Sequence, residues 1–333
     1  MIHVSSIQLM RFIAALVAMC SGTYLQAAEA DPAPGFPARQ MRMIIPFAPG
    51  AGTDLTARTV AQKLSEKWGV QVVADNRTGA GGTIGVDMTA KAEPDGYTLC
   101  LISASNTVNA ATNPNLPFDL ARDLQGLSQA TSLFYVLYIH PSVPAKNVAE
   151  LITYARANPG KLNFGSSGNN TLQHFSGEMF NHLAKVKMVH VPFKGTAAVI
   201  PAMLAGDVHV GFGSLIGTRA QMQQGKLRGL AITAAKRSPS VDLPSLAESG
   251  LPGFEVDQWY GIITSAKVPQ NIVRKLNAAI VEAVHQPDVA ARLAADGSTP
   301  VGSSPEQFNT YIRAEITKWK RLVQEAKLQL ENN

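Results

Sequence analysis

Short apolar runs alternate with helix-like patterns from Met41 to the end of the chain. The first run, at 43–47, is followed by apolar residues three or four positions apart, and Thr53 or Asp54 stands where a cap would begin a helix that Gly69 ends. Further β-rich runs lie at 70–74, 97–102, 133–139, 162–165, 189–193, 208–212 and 230–233. Further helical patterns follow Asn147 and Leu172 and occupy 268–285 and 305–328. Because helices separate most of these strands, the strands are predicted to run parallel in an α/β fold.

The first thirty residues have the pattern of an export signal. Arg11 precedes an apolar run at 12–20 that is too short to span a bilayer, and small residues follow it. We expect a signal peptide over 1–30, cleavage near Glu29 or Asp31, and a periplasmic mature protein. The alternatives left open are two cleavage steps, 26–28 and 28–30, and a start of the chain at Met10.

Composition is that of a soluble globular protein with two lobes. The chain has 333 residues, of which 46% are hydrophobic and 16% charged, so we expect two lobes of roughly 100–150 residues each. The net charge of +5 is spread along the chain without a basic run, which excludes the usual pattern of a nucleic-acid-binding protein. Positive charge of this size attracts anions towards a cleft.

The two cysteines predict neither a lipid anchor nor a disulfide. A lipoprotein signal at Cys20 is disfavoured because Met19 is larger than the small residue that such a site requires. After signal cleavage Cys100 is the sole cysteine, so no internal disulfide forms. Cys100 lies in an apolar strand, where we expect inert packing.

Four predicted strand-to-helix turns are rich in Gly, Ser, Thr and Asn. They lie at 49–54, 103–107, 165–171 and 194–197. In an open parallel sheet such turns converge at the carboxyl ends of the strands, where ligands bind. The N–H groups and the dipole at the start of each helix favour a carboxylate or a phosphate. One such turn alone is ordinary capping chemistry, but four together indicate a binding site.

Sequence motifs of enzymes and metal sites are incomplete. The glycine-rich segment 79–85 has Ile84 where a dinucleotide-binding fingerprint requires its third glycine. The segment 165–169 ends in Asn169, where a nucleophile elbow requires glycine. His174 and His182 are eight residues apart without a carboxylate at ligand spacing. We therefore expect no catalytic residue, no cofactor and no metal.

Eight characteristic stretches of sequence occur in order along the chain, and several of them contain the turns described above. They are PFAPGAGTD (46–54), DNRTGAGGTIG (75–85), PDGYTL (94–99), HPSVPAKNVAELI (140–152), NFGSSGNN with a following histidine (163–174), HVPFKGTA (190–197), GKLRGLAIT with KRSP (225–239) and ESGLPGFEV with WYG (248–261). On these blocks the chain resembles, over residues 40–325, the Bug receptors, the periplasmic solute-binding components of tripartite tricarboxylate transporters.

The resemblance implies a Venus-flytrap fold of two α/β lobes, each a mostly parallel sheet flanked by helices. Lobe 1 would comprise 40–138 and 262–333, and lobe 2 would comprise 139–261, with crossovers near 133–140 and 255–262. The resemblance also implies a monomer that binds a small organic carboxylate in the interlobe cleft and presents it to membrane transporter subunits, without enzymatic activity.

Carried over by position, the resemblance predicts a ligand-binding set from both lobes. The first-lobe residues are Phe47, Ala48, Gly52, Thr53, Asp54 and Ser105, and the second-lobe residues are Ser167, Asn169, Thr171, His174, Lys194, Gly195, Thr196, Ala197 and Ser214. Backbone N–H groups of 50–54 and 195–197 are expected to hold the carboxylate. His174 lies in the first turn of its helix, where it is either solvated or directed into the cleft.

The chain departs from the common family pattern at three positions. Ala51 replaces the second glycine of the first loop, and His209 and Gly213 stand where aspartate is frequent. Loss of carboxylates near the cleft favours a ligand that is either more anionic or uncharged. The sequence therefore does not identify the ligand.

Two other functions are compatible with the residues. A receptor of the same fold that feeds a signalling partner has the same sequence features. A hydrolase with Ser167 as nucleophile and His174 as base requires a contact between these two side chains.

Overall fold

The computed structural model describes residues 31–50, 52–295 and 297–328. The predicted signal peptide therefore lies outside the described residues. The strands are β1 (Met41–Ile45), β2 (Val72–Asn76), β3 (Thr98–Ser103), β4 (Leu124–Ile139), β5 (Asn163–Ser166), β6 (Val189–Pro192), β7 (Val210–Ser214), β8 (Arg228–Ile232), β9 (Asp257–Ser265) and β10 (Thr299–Pro300). The helices are α1 (Gly52–Trp68), α2 (Thr83–Ala90), α3 (Ala104–Thr112), α4 (Val148–Ala157), α5 (Leu172–Ala184), α6 (Val199–Ala205), α7 (Leu215–Gln223), α8 (Gln270–His285), α9 (Pro287–Ala295) and α10 (Pro305–Ala326).

The strands form two sheets that share β4. In the first sheet the order is β2-β1-β3-β9-β4, with β10 also paired to β4. In the second sheet β4 lies between β8 and β7, and β5 and β6 follow β7. The predicted parallel pairing is confirmed within β1–β3 and β5–β7, whereas β3, β4, β7, β8 and β10 meet their other neighbours in antiparallel pairs. Each lobe is thus a parallel three-stranded unit extended by antiparallel strands and covered by helices.

Strand β4 passes from one sheet to the other without a break. Phe134 pairs with Asp257 of β9, and the next residue, Tyr135, pairs with Ser214 of β7. Strand β9 pairs with first-sheet strands along its length. Strand β4 begins well before the predicted run at 133–139. The sequence pattern did not reveal its first part, LQGLSQATS, because this part lacks a continuous apolar run and is buried by pairing with β9. The lobe boundaries expected at 138/139 and 261/262 stay a prediction.

The two parallel units repeat one arrangement. In the first lobe the strand order is β2-β1-β3, and in the second lobe it is β6-β5-β7. Strand β1 is followed by α1 and β5 by α5, so these two helices are topological equivalents. Their amino termini lie at the carboxyl edges of the two sheets, where ligand sites form in open α/β sheets.

Helix α10 closes the back of both lobes. Trp319 of α10 packs edge-on against Phe175 of α5 with ring centroids 5.9 Å apart, and both side chains are fully buried. Phe308 of the same helix meets Trp259 of β9 at 5.4 Å. A Cβ at Gly261 would overlap the Phe308 ring, so glycine is required for this close approach. The largest apolar core is therefore continuous across the two lobes.

Local signals at helix starts are partly confirmed. Asn147 caps α4 by accepting the N–H of Glu150 at 2.9 Å, as predicted. Helix α1 begins at Gly52, so the prediction that Thr53 or Asp54 caps it is wrong, and both lie in its first turn. Ser105 likewise lies within α3 rather than in a loop. Among the described residues, no helix has the length and hydropathy that a membrane span needs.

Candidate functional site

The loop between β1 and α1 is organised by the carboxylate of Asp54. This carboxylate accepts the N–H of Gly50 at 3.1 Å, and the Nε of Arg58 lies 3.0 Å from both of its oxygens. The side-chain amide of Asn76 donates to this carboxylate and to the carbonyl oxygen of Phe47, at 3.0 Å in both cases. Burial by itself raises the pKa of Asp54, but the hydrogen bonds from Arg58, Asn76 and Gly50 outweigh burial and lower it. Asp54 is therefore ionised and engaged within its own loop.

The amino terminus of α1 follows this loop. Ala48 is exposed, and Phe47 and Gly52 are half-buried. Thr53 is only 5% exposed, and its Oγ1 has no hydrogen-bond partner among the described residues. Helix α1 has 17 residues, and its first N–H groups lack intrahelical acceptors and carry the positive end of the helix dipole. This end of α1 has the electrostatics and the donors of an anion site.

In the second lobe, the loop after β5 is joined to the loop after β6. The N–H of Ser167 donates to Gln173 Oε1 at 2.8 Å, and the carbonyl oxygen of Ser167 accepts the N–H of Gly195 at 3.1 Å. The parallel pairing of β5 with β6 brings the two loops together. In this structure the N–H of Gly195 is therefore engaged within the second lobe, and its donation to a ligand stays a prediction.

The other predicted second-lobe residues lie along the same edge of the sheet. Thr171 caps α5: its Oγ1 accepts the N–H of His174 at 3.4 Å and donates to the carbonyl oxygen of Gly168 at 2.8 Å. Asn169 is half-buried. The remaining positions are exposed Lys194 and Thr196, Ala197 in the short 3₁₀-helix Thr196–Ala198, and half-buried Ser214 at the start of α7.

The two lobes meet at Ser105 and the amino terminus of α5. The Oγ of Ser105, in the first turn of α3, accepts the N–H of Leu172 at 3.2 Å. Leu172 is the first residue of α5, so a first-lobe side chain fills the donor at the start of a second-lobe helix. The structure thus places Ser105 of the first lobe at the start of a second-lobe helix, and the convergence of the other predicted residues stays a prediction.

His174 is neither solvated nor open to the cleft. Its side chain is 15% exposed and its ring stacks on His190, with ring centroids 3.8 Å apart and planes 8° from parallel. Burial, and secondarily His190, lowers the pKa of His174 to about 3, and burial lowers the pKa of His190 to about 4. Both imidazoles are therefore neutral at neutral pH. The sequence reasoning missed His190, whose only signal is its position in the HVPFKGTA block.

A serine and a histidine do form a hydrogen bond, but they are not the predicted pair. His190 Nε2 lies 2.6 Å from the Oγ of Ser166, whereas Ser167 meets Gln173 and Gly195 through its backbone. Ser166 is fully buried and also bonds to the backbone of Gly168. A nucleophile must reach its substrate, so this pair supports a loop rather than hydrolysis.

Of the three departures from the family pattern, Ala51 lies outside the described residues, and the other two do not lie among the strand-to-helix loops. His209 precedes β7 at the amino edge of the second sheet, where it exchanges hydrogen bonds with the backbone of Asn163. Gly213 is buried, and a Cβ there would lie 3.2 Å from the ring of Tyr138. The expectation that these positions report the charge of the ligand is therefore wrong, because one is remote and the other serves packing.

Cys100 is confirmed as a packing residue. It is fully buried in β3, and burial raises the pKa of its thiol to about 12. No group of three or more His, Cys, Asp or Glu side chains arranged for a metal ion is found in 31–50, 52–295 and 297–328.

Several surface concavities lie away from the cleft. One of about 720 Å³ is lined by Arg39, Arg42 and Arg77, whose guanidinium groups are paired with Asp95 and Asp75. Its charges are thus already compensated within the chain. At the amino terminus of α1, by contrast, the buried hydroxyl of Thr53 has no partner among the described residues.

The two sheets joined by β4, each a parallel unit flanked by helices, define a two-lobed binding-protein fold. The chain matches the model of the tripartite tricarboxylate transporter family receptor over residues 56–328, and it belongs to that family. Members of the family are periplasmic solute-binding receptors rather than enzymes.

Three relatives show how far the similarity extends. Protein BugT of Bordetella pertussis is 34% identical over 301 residues, which are 89% of this chain and 92% of BugT. Rpa4515 of R. palustris, solved with adipate, is 32% identical with a TM-score of 0.79, over 88% of this chain and 98% of that chain. MatC of Rhodopseudomonas palustris, solved with malate, is 31% identical with a TM-score of 0.77, over 86% of this chain and 100% of that chain. The predicted family and fold are confirmed.

Proposed function

We propose that this receptor captures a small organic carboxylate between its lobes for uptake through a membrane transporter. Family membership supports the class of function. The two solved relatives hold adipate and malate, which are both dicarboxylates, and this supports the chemical class of the ligand.

The observation that carries the proposal is the buried hydroxyl of Thr53 at the amino terminus of α1, which has no partner among the described residues. At the equivalent end of α5, Ser105 accepts the N–H of Leu172 and Thr171 accepts the N–H of His174. At the start of α1, the buried Oγ1 of Thr53 has no partner among the described residues. A ligand carboxylate at this position would accept from Thr53 and from first-turn N–H groups, without the entropy cost of ordering a long side chain.

We assign two roles to the predicted residues. The proposed contacts with the ligand are Phe47, Ala48, Gly52, Thr53, Ser105, Ser167, Asn169, Thr196, Ala197 and Ser214. The proposed supports of the loops are Asp54, Thr171, His174 and Gly195, which are engaged in the hydrogen bonds described above. Lys194 is exposed and contributes long-range attraction to an anion.

Export, partner and domain division complete the proposal. Residues 1–30 would direct export, and the mature monomer would meet membrane transporter subunits in the periplasm. Closure would turn lobe 2, 139–261, against the rest of the chain about β4 and the second crossover near 255–262. The continuity of β4 between the sheets supports a hinge at this place.

The test is stabilisation by acids compared with their uncharged amides. Adipate, malate, citrate, glutamate and benzoate are screened by thermal unfolding beside amides such as adipamide. A bound acid at a hundred times its Kd stabilises the protein by about 2.7 kcal/mol, which shifts Tm by a few degrees. An amide that stabilises as well as its parent acid would exclude the carboxylate contact.

A matched pair of variants locates the site. Thr53→Val removes the hydroxyl at the start of α1 and should weaken binding of the stabilising acid about tenfold or more, because a hydrogen bond to a charged group is lost. Thr56→Val removes a hydroxyl that is also buried and without a partner, one turn further along α1, and should leave affinity unchanged. Equal affinities of the two variants would move the site away from α1.

A further inference from the structure

The stacked pair of His174 and His190 lies directly beneath the second-lobe loop. The planes of the two stacked rings are nearly parallel, with an interplanar angle of 8° and ring centroids 3.8 Å apart. Phe164 of β5 stacks below His190 at 5.0 Å. The pair therefore joins β5, β6 and α5 at the point from which the loop 166–170 departs.

Each histidine holds one end of that loop. The Oγ of Ser166 donates to the carbonyl oxygen of Gly168 at 2.9 Å and accepts the N–H of Gly168 at 3.1 Å. The Ser166 Oγ also lies 2.6 Å from His190 Nε2, and when the Ser166 proton is directed at Gly168 the histidine is the donor in this bond. At the other end, His174 Nδ1 accepts the N–H of Asn170 at 3.2 Å. This bond requires an unprotonated Nδ1.

The loop needs such support because its backbone is unfavourable. Gly168 has φ +135° and Asn170 has φ +58°. The left-handed region is less favourable for a residue with a side chain than for glycine, and asparagine tolerates it when its surroundings supply hydrogen bonds. The hydrogen bonds between the loop and the two histidines hold this conformation. In this conformation Ser167 and Asn169 lie at the carboxyl edge of the second sheet.

We propose that His174 and His190 are positioning residues that hold the loop 166–170 in its ligand-binding conformation while both rings are neutral, and that protonation releases the loop. This inference rests on the proposed function for its consequence on ligand binding. A proton on His174 Nδ1 would remove the acceptor of the Asn170 N–H. A proton on either ring would place positive charge against the face of the other ring.

The surroundings of the pair favour the neutral state. On α5, Glu178 Oε1 lies 3.8 Å from His174 Nε2, and burial raises the pKa of Glu178, which weakens its ability to hold a charged histidine. Strand β5 contributes Phe164 and Ser166, and β6 contributes His190 itself. Burial lowers the pKa of both histidines, to about 3 for His174 and about 4 for His190. A released histidine has a pKa near 6.5, so the held loop is stable above that pH and loses stability progressively as the pH is lowered from about 6.5 to the folded-state values of about 4 and 3.

The test measures backbone amide protection in the loop without ligand. His190→Phe keeps a stacking ring but removes the Nε2 donor, and it should lower the protection of Gly168 and Asn170 about fivefold to tenfold. His190→Gln supplies an amide donor and should restore part of that protection. His182→Phe is the matched control, because His182 lies on the same helix two turns from His174 and its nearest acidic partner is Glu325 at 4.0 Å. The control should match the unchanged protein.

Two further readouts decide the proposal. In the unchanged protein the protection of Gly168 and Asn170 should fall as pH is lowered from 5 to 3.5, and in His190→Phe this fall should be smaller. The Kd of adipate should rise about fivefold to tenfold in His190→Phe and stay unchanged in His182→Phe. Unchanged loop protection in His190→Phe, or an unchanged Kd when adipate binds the unchanged protein, would overturn the proposal. Failure of adipate to bind the unchanged protein would contradict only the proposed ligand class, and amide protection would still decide the role of the histidines.

Discussion

Replacement of Asp257 by asparagine should stabilise the protein at neutral pH. Asp257 begins β9 beside the change of sheets in β4, and its neighbours include Glu255 and, on α10, Glu315 and Lys318. Glu315 is itself 4% exposed: one carboxylate oxygen pairs with Lys318 and the other has no partner among the described residues. Burial, and secondarily Glu255, raises the pKa of Asp257 to about 6, while Lys318 opposes this rise.

The magnitude follows from proton linkage. The unfolded chain has an aspartate pKa of 3.8, so between pH 3.8 and about 6 the folded protein holds a proton that the unfolded chain has released. Stability therefore rises as pH is lowered through 6 towards 3.8, and above pH 6 the charged carboxylate costs about 3 kcal/mol at about 1.36 kcal/mol per pKa unit. Asparagine carries no charge and removes that cost. Asp257→Asn should gain up to about 3 kcal/mol at pH 7.5 and almost nothing at pH 4.

Urea unfolding of the unchanged protein and Asp257→Asn at pH 7.5, 6, 5 and 4 measures this difference. Asp242→Asn serves as the control, because Asp242 is exposed on the second lobe and its replacement should change stability by less than about 0.5 kcal/mol. Glu255→Gln removes the second contribution and should yield a smaller gain with the same pH dependence. A gain for Asp257→Asn that is equal at pH 4 and pH 7.5, or a loss of stability at pH 7.5, would refute the reasoning.

Two further outcomes test the lobe interface and the packing of α10. Ser105→Ala removes the acceptor of the Leu172 N–H and should open the lobes without ligand, which small-angle scattering would detect as a larger radius of gyration. The control is Ser142→Ala, on the exposed turn after β4, and equal radii for the two variants would show that the contact does not hold the lobes together. Gly261→Ala forces a methyl group into the Phe308 ring and should destabilise the protein by about 1–3 kcal/mol in urea unfolding. At Gly160 the added methyl group has open space, so Gly160→Ala measures only the cost of a positive φ, and an equal or smaller loss of stability for Gly261→Ala would contradict the close approach.

The proposed capture of a carboxylate uses the repeated arrangement of the two lobes unequally. The α5 amino terminus is filled from within the chain, by Ser105 and Thr171. The α1 amino terminus retains a buried hydroxyl without a partner among the described residues. If the proposed function is correct, one of two equivalent helices holds the lobes together and the other binds the ligand.

Much of the fold was predictable from the sequence because local signals and burial agree along most elements. Strands β1, β3 and β7 and the start of α4 have apolar runs or caps that depend on neighbouring residues alone. Strand β9, helix α9 and the first part of β4 were not predicted as such. The polar residues of β4 there, such as Ser128 and Thr131, are buried only because β9 lies beside them.

The sequence by itself determined the α/β class, the family, and the set of glycine- and serine-rich loops at the strand ends, because these follow from local pattern and from ordered motifs. Only the tertiary structure decided what each side chain in those loops does. Asp54 and Gly195 were expected to meet a ligand, but each is engaged with residues brought close by strand pairing. The hydrolase alternative required His174 to contact Ser167, whereas in the structure the His174 ring stacks on His190, which lies sixteen residues later in the next strand. Hydrogen bonds and ring stacking need atoms within a few ångströms, and that proximity is created by the packing of β5, β6 and α5 rather than by residue order.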